Sequence, residues 1–184
     1  KMLLGLINDI LDFSKIESGQ MELVEASYHP AALIVDELNL LEKRAKKKNL
    51  VIYPDIEESL PSELYGDELR IKQILTNLLT NAVKYTNNGS VTLQVTGTLD
   101  QGRAHLFFQV KDTGIGIEEE NLEKLFSTFN QVDTKRNRQE GGIGIGLAIS
   151  KRIISKMGGF ITVNSTFGKG SEFQFVIPQK IVDA

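Results

Sequence analysis

Five polar residues between positions 70 and 84 recur at helical spacing: Arg70, Gln73, Asn77, Asn81 and Lys84. On a helix that turns about 100° per residue they fall within an arc of about 80°. Ile71, Ile74, Leu75, Leu78, Leu79, Ala82 and Val83 take the other side. One helix thus presents a core face and a narrow face of amides and cations. Amide oxygens are hard, neutral ligands of the kind Mg²⁺ accepts, and a lysine one turn on suits phosphate oxygens. The rival reading is an ordinary solvated face, which would usually carry Glu and Lys rather than two Asn and a Gln.

A second group follows the apolar run Phe107, Phe108, Val110. There Asp112-Thr-Gly-Ile-Gly-Ile117 puts a carboxylate at a strand end beside two glycines, where the backbone can approach a flat ligand. An adenine amino group would satisfy that carboxylate, whereas guanine places a carbonyl there. Asp-x-Gly is also a common turn. Downstream, Gly142-Ile-Gly-Ile-Gly-Leu147 opens a helix whose free N–H groups make an anion site. No Gly-Lys-Ser/Thr with its upstream glycine occurs, so this is not a Walker loop, and Leu147 stands where a dinucleotide fingerprint needs its third glycine. Gly168-Lys-Gly170-Ser171 sits in the turn of a last hairpin.

The elements that must position these residues can be read from the rest of the chain. Its 184 residues suit one domain plus an appendage, and 21 Lys+Arg against 24 Asp+Glu leave a net charge of −3. That balance argues against generic nucleic-acid binding. The absence of cysteine excludes disulfides, thiolate zinc sites and a Cys nucleophile. No apolar run is long enough to cross a membrane as a helix. Eight of the 16 glycines fall within residues 141–170, and the helical spacing after Gly146 argues against a flexible linker there.

Residues 2–24 carry Leu3, Leu4, Ile7, Ile10, Leu11 and Ser14 at spacings of three and four, an amphipathic helix. Its stripe is expected to meet a helix outside this sequence or from another chain, with packing on its own domain as the alternative. Next come a strand in Met21–Pro30, a helix from Pro30 to about Lys48, and a strand at Leu50–Ile56. A loop with Pro61 and Gly66 leads to a helix from Asp67 to Tyr85. The hairpin Val91–Leu99 and Ala104–Val110 is followed by a short helix at Glu118–Leu125 and an irregular stretch over 126–145. A helix from Gly146 to Met157 and the strand pair Ile161–Ser165 and Glu172–Ile177 close the chain. The basic run Lys43, Arg44, Lys46, Lys47, Lys48 reads as a solvated helix end. This order favours an α+β fold with mixed strand pairing and helices on one face of the sheet. The irregular stretch is long enough to belong to a binding site or lid.

Taken together, NLLTNAVKYT (77–86), DTGIGI (112–117), FSTF (126–129), GGIGIGLAIS (141–150) and GKGSEF (168–173) closely resemble, in order and spacing, the ATP-binding domain of sensor histidine kinases. LLGLINDILDFSKIESGQMEL resembles the second helix of their dimerisation and phosphotransfer domain. The resemblance implies a two-layer α/β sandwich with a mixed, mostly antiparallel sheet, as in gyrase and heat-shock chaperone ATPases. It divides the chain into an incomplete dimerisation helix at 1–21 and a catalytic domain at 22–184. It implies ATP and Mg²⁺ as ligands, with Asn81 holding the metal and Asn77, Lys84 and Arg138 near the phosphates as the catalytic set. Tyr85 would pack on the nucleotide, Asp112 would read adenine, and Gly114, Gly116 and Ile117 would line its pocket. Gly142, Gly144, Gly146 and Leu147 would meet the triphosphate. Phe126 and Phe129 resemble lid anchors, with a plain core role equally open, and Ser171 completes the implied nucleotide-binding set.

Hydrolytic members of the same fold carry a glutamate where this chain has Asn77, and an amide cannot act as a general base. The resemblance therefore implies phosphoryl transfer to a histidine on a helix of the same or a partner protomer, then to a response-regulator receiver domain, in a homodimeric, cytoplasmic kinase whose parent can be membrane-anchored. Neither His29, before Pro30, nor His105, inside a strand, matches the family's acceptor, so both read as structural. Ile143 and Ser171 stand where threonine is usual. Rival readings are a serine-directed kinase of the anti-sigma-factor type, against which the Leu3–Leu11 helix argues, and a module that holds ATP only to change shape.

Overall fold

Period-two alternation in the strands decides which side of the sheet is covered. The computed structural model describes residues 2–127 and 145–183, with side chains from residue 7 onward. In chain order the elements are α1 (Met2–Glu17), β1 (Ala26–Tyr28), α2 (Pro30–Lys46), β2 (Val51–Ile56), β3 (Glu63–Gly66) and α3 (Glu68–Tyr85). They continue as β4 (Ser90–Asp100), β5 (Arg103–Asp112), α4 (Glu119–Leu122), α5 (Gly146–Lys156), β6 (Phe160–Thr166) and β7 (Gly170–Asp183). The strands form one sheet in the order β1-β3-β7-β5-β4-β2, and β6 shares with β3 the edge of β7 opposite β5. Among the described residues only β2 and β4 pair in parallel. The expected α+β class with a mixed, mostly antiparallel sheet is what the chain adopts.

Cross-strand rows show the two faces. Val95, Phe108, Phe175 and Ile161 share one row, with Phe108 and Phe175 stacked at 4.6 Å between ring centroids. This row lies beneath the helices. The next row, Thr96, Phe107, Val176 and Phe160, faces away, and Phe160 there is exposed.

The helix α3 is held at both ends. Asp67 caps its N-terminus, accepting the Arg70 N–H at 3.0 Å, and its other oxygen accepts the Val24 N–H at 2.8 Å, which ties the incoming segment to the helix. Its predicted apolar face, Ile71, Ile74, Leu75, Leu78, Leu79, Ala82 and Val83, is buried throughout. Beside it α2 runs in the same direction, pairing Asp36 with Lys72, Glu37 with Thr76 and Arg44 with Thr80. Two parallel helices bring two negative dipole ends together. Lys48 answers this by donating to the carbonyls of Val83, Lys84 and Thr86 at 2.9, 2.8 and 3.3 Å. One member of the basic run is thus a helix cap and not a solvated charge.

The first helix ends at Glu17, earlier than its pattern suggested, because Gly19 at φ +70° turns the chain there. The alternative reading, packing on this chain's own core, holds for one face of the helix. Phe13 and Ile16 pack on the domain's own core, while Ile7, Ile10 and Leu11 stay about half exposed at 46%, 50% and 54%. Asp12 accepts from Arg70 at 2.8 Å and from Gln73 at 2.9 Å, and Arg152 of α5 pairs with Glu17 at 3.2 Å.

Other elements differ from their expected limits. The first strand is only three residues long, β7 runs on to Asp183, and Glu63–Gly66 forms a strand where a loop was expected. There Gly66 passes so close to the Gln179 side chain that a Cβ would lie 1.9 Å from Oε1, so the glycine that read as punctuation serves a sheet contact. The short helix covers only Glu119–Leu122. Of the irregular stretch over 126–145, residues 128–144 lie outside the described residues. Among the described residues no helix is long and apolar enough to cross a membrane.

Two outcomes are expected. Lys48→Met keeps the stem but frees three carbonyls, and should lower unfolding free energy in urea by about 1–2 kcal/mol, against less than about 0.5 for the exposed Lys43→Met. For Asp12, burial acts to raise the carboxyl's pKa, but hydrogen bonds from Arg70 and Gln73 and the charges of Arg70 and Lys15 outweigh it and hold the value low. A carboxyl lowered on folding adds stability above its unfolded value and loses it as pH falls through the folded one. Wild type should therefore exceed Asp12→Asn in stability at neutral pH, and the gap should close below the usual carboxylate range.

Candidate functional site

At one end of the sheet's covered face the apolar rows give way to a polar one. Leu93, Val110, Phe173 and Val163 form the last apolar row, and the next such row reads Val91, Asp112, Ser171, Ser165. Asp112 is 7% exposed, and its Oδ1 accepts the Gly114 N–H at 2.8 Å. Burial pushes its carboxyl up, and hydrogen bonds from the Gly114 and Ser171 N–H groups and the Thr86 hydroxyl pull it back only in part. The Thr86 hydroxyl also donates to Ala82 O at 2.7 Å, so its one proton cannot serve both acceptors fully. A buried carboxylate with acceptor capacity to spare suits an amino-group donor from a ligand.

The segment after Asp112 is laid directly on its neighbours. Ile115 N–H donates to Tyr85 O at 3.1 Å, and Gly168 N–H donates to Ile115 O at 2.7 Å. Gly116 at φ +66° passes Thr166 so closely that a Cβ would lie 2.1 Å from its carbonyl oxygen. Gly170 at φ +114° would put a Cβ 2.0 Å from Asp112 O. Any side chain at either position would force the two loops apart. The loop at 112–117 and the turn at 166–170, both singled out from their glycines, are therefore one backbone cradle joined to the end of α3.

The polar face of α3 is divided among three neighbours. Arg70 and Gln73 are taken by Asp12 of α1. Asn77 donates to Ser150 Oγ at 3.1 Å, and a Cβ on Gly146 would lie 2.5 Å from its Oδ1, so the start of α5 rests on this amide. Asn81 and Lys84 are half-buried, and among the described residues the Asn81 amide makes no hydrogen bond. Lys84 Nζ stands 5.1 Å from the Tyr85 ring centroid, a cation–π distance. The C-terminal half of the face is thus left with an amide and an ammonium available to a ligand, next to the Asp112 cradle.

Gly146 opens α5, whose N-cap Ile145 makes no side-chain cap bond. Leu147 and Ile117 are half-buried against the core. Phe126 also packs there, with Lys151 Nζ 5.2 Å from its ring centroid, so a core role and a tie to α5 coexist. Phe129, Arg138, Gly142 and Gly144, with Ile143, lie outside the described residues. His29 Nδ1 is 2.8 Å from Ser62 O, and His105 sits in β5 between Thr98 and Pro178, the structural places expected of them. Among the described residues no three His, Cys, Asp or Glu cluster as metal ligands. Sequence reasoning missed Thr86, Ser150 and Ser165. Thr86 and Ser150 stand inside quoted motifs but carry no local signal of their partners, and Ser165 reads as an ordinary strand residue.

Residues 66–181, more than half of the chain, match the family of histidine kinase-, DNA gyrase B- and HSP90-like ATPases. Sensor histidine kinase GacS of Pseudomonas protegens is 44% identical over 172 residues, 93% of this chain and 19% of that protein. Hybrid signal transduction histidine kinase B of Dictyostelium discoideum is 42% identical over 177 residues, 96% of this chain and 9% of that one. The chain therefore spans less than a fifth of these relatives. Among solved structures, full-length ShkA in complex with AMPPNP matches with a TM-score of 0.85 at 35% identity, over 99% of this chain and 37% of that one. The catalytic domain of histidine kinase ThkA matches with a TM-score of 0.63 at 29% identity, over 86% of this chain and 96% of that one. The fold and these likenesses agree, and the chain belongs to the histidine kinase-, DNA gyrase B- and HSP90-like ATPase family.

Proposed function

We propose that this chain binds Mg²⁺-ATP and directs its γ-phosphoryl group to a histidine on another helix, for onward transfer to a receiver-domain aspartate of a response regulator. The observation that carries the reading is the buried Asp112 carboxylate in its glycine cradle, with Asn81, whose side-chain amide makes no hydrogen bond among the described residues, and Lys84 on the neighbouring helix. An adenine amino group donates to Asp112, and Gly114, Gly116 and Ile117 form the pocket wall. Ser171 supports the carboxylate through its N–H, and Tyr85 packs on the nucleotide. Lys84 neutralises phosphate charge, with Arg138, Gly142 and Gly144 in the same service by family likeness, and Phe129 as an anchor of the segment between. Gly146 and Leu147 bring the N–H groups at the start of α5 to the triphosphate.

Asn81 would hold the Mg²⁺, since a neutral amide oxygen suits a hard cation. One amide is a weak site by itself, so the ion would arrive with the phosphates, where it offsets the charge of the transferring group. Asn77 shapes the outcome differently. Its amide is bonded to Ser150 and is no base, which favours transfer to an oriented imidazole over attack by water. The acceptor belongs to a dimerisation domain whose second helix we read in residues 1–21, with the catalytic domain at 22–184. The exposed Ile7, Ile10 and Leu11 fit pairing of that helix in a homodimer.

Calorimetric titration should show Mg²⁺-dependent ATP binding, weakened at least about tenfold by Asn81→Asp or Asp112→Ala. Unchanged affinity in either variant would remove that residue from the site. Mixed with a dimerisation domain bearing an intact acceptor histidine, the chain should deliver acid-labile label from γ-labelled ATP to that domain and none to itself. Acid-stable label on serine would favour the serine-directed reading, and binding without any transfer would favour a module that only changes shape.

A further inference from the structure

We infer that Ser165 is a positioning residue that sets the Gly114–Ile117 loop by hydrogen bonding, and so sets the adenine half of the site; this rests on the nucleotide reading above. Ser165 ends the polar row Val91, Asp112, Ser171, Ser165, on the same face of the sheet as the reading carboxylate. Its Oγ accepts the Ile117 N–H at 2.8 Å. It donates to Gly170 O at 2.9 Å and lies 2.9 Å from Ser171 Oγ. With the Ser165 proton given to Gly170, the Ser171 hydroxyl is the donor of that pair, so Ser165 uses both acceptor sites and its one donor.

The consequence is a continuous chain of contacts. The Ser171 N–H supports Asp112, the Ser171 hydroxyl meets Ser165, and Ser165 holds the far end of the loop that Asp112 begins. Backbone bonds fix the middle of the loop, from Ile115 N–H to Tyr85 and from Gly168 N–H to Ile115, but none of them reaches Ile117. Gly116, at φ +66° and in contact with Thr166, can pivot once the next N–H is released. The hydroxyl of Ser165 is therefore what converts a close approach into a fixed one. Its effect should fall on the base and not on the phosphates, because the Lys84 ammonium stands against the Tyr85 ring and the start of α5 is tied to Asn77, contacts in which Ser165 has no part.

The test compares wild type, Ser165→Ala and Ser165→Thr, which restores the hydroxyl. Titration with ATP, adenosine and tripolyphosphate is paired with amide exchange at Ile117. S165A should bind ATP and adenosine about tenfold more weakly by the same factor, bind tripolyphosphate as wild type does, and exchange Ile117 faster. S165T should return affinity and protection to within about twofold. Equal ATP affinity in S165A and wild type overturns the inference, as does an equal loss for tripolyphosphate or a loss that S165T fails to restore. If S165A does not fold, Ser165→Cys, a weak acceptor of similar size, takes its place with the same expectations. Wild-type protein that binds no ATP overturns the nucleotide reading itself, whereas ATP binding unaffected by the substitution overturns this inference alone.

Discussion

Rotation of α3 about its axis is fixed by the seven apolar side chains it buries, and the domain's polar contacts follow from that constraint. A helix locked in this way has no freedom over where its opposite face points. Arg70 and Gln73 must meet α1, Asn77 must meet α5, and Asn81 and Lys84 fall on the C-terminal half of the same face. The division along one helix couples its neighbours through separate hydrogen bonds. A shift of α3 by one turn, or a twist of its axis, would disturb them together. The Asp67 cap and Lys48 at the two ends oppose such movement, since each joins the helix to a separate piece of chain.

Glycine placement expresses a second constraint, on backbone approach. Gly116 and Gly170 lie some 50 residues apart in sequence, and each sits where a Cβ would meet a carbonyl oxygen of the other's loop system. Removing the Cβ at both allows two loops to lie in direct contact, and Gly168 N–H then reaches Ile115 O at 2.7 Å. The cradle is rigid because it is made of paired backbone groups, and rigidity in a site lowers the ordering a ligand must induce. The carbonyls of Tyr85, Ile115, Thr166 and Gly170 in this region each have a donor within the protein, which tempers the negative potential they would otherwise present.

What could be read in the sequence was whatever repeats locally. The two faces of α3, the hairpin of β4 and β5, Asp112 at a strand end and the Gly168-Lys-Gly170 turn all declare themselves through period or turn chemistry within a dozen residues. Long-range choices were not legible. Glu63–Gly66 is too short to show alternation, and it becomes a strand because β1 and β7 both offer it partners. Lys48 looks like its four basic neighbours, and only the parallel course of α2 and α3 brings it to three carbonyls. The face of α1 bearing Phe13 and Ile16 was obscured by the more regular stripe of Ile7, Ile10 and Leu11, although the less regular face is the one buried on this domain.

The polar row at the end of the sheet gives the last of these constraints its chemical meaning. A carboxylate placed among the apolar rows one step earlier, at Val110, would be buried beneath helices with no ligand able to reach it. Placed one step beyond the strand, it would be hydrated and would gain little from a single donor. At Asp112 it is buried enough that burial raises its pKa, yet it lies where the strand gives way to a loop. The incomplete compensation there is useful: a ligand donor that completes the set of hydrogen bonds recovers part of the desolvation penalty on binding, and a ligand presenting an acceptor adds to it. Selectivity between bases in the proposed function then arises from the remaining acceptor capacity of a carboxylate whose position is already fixed by its own hydrogen bonds.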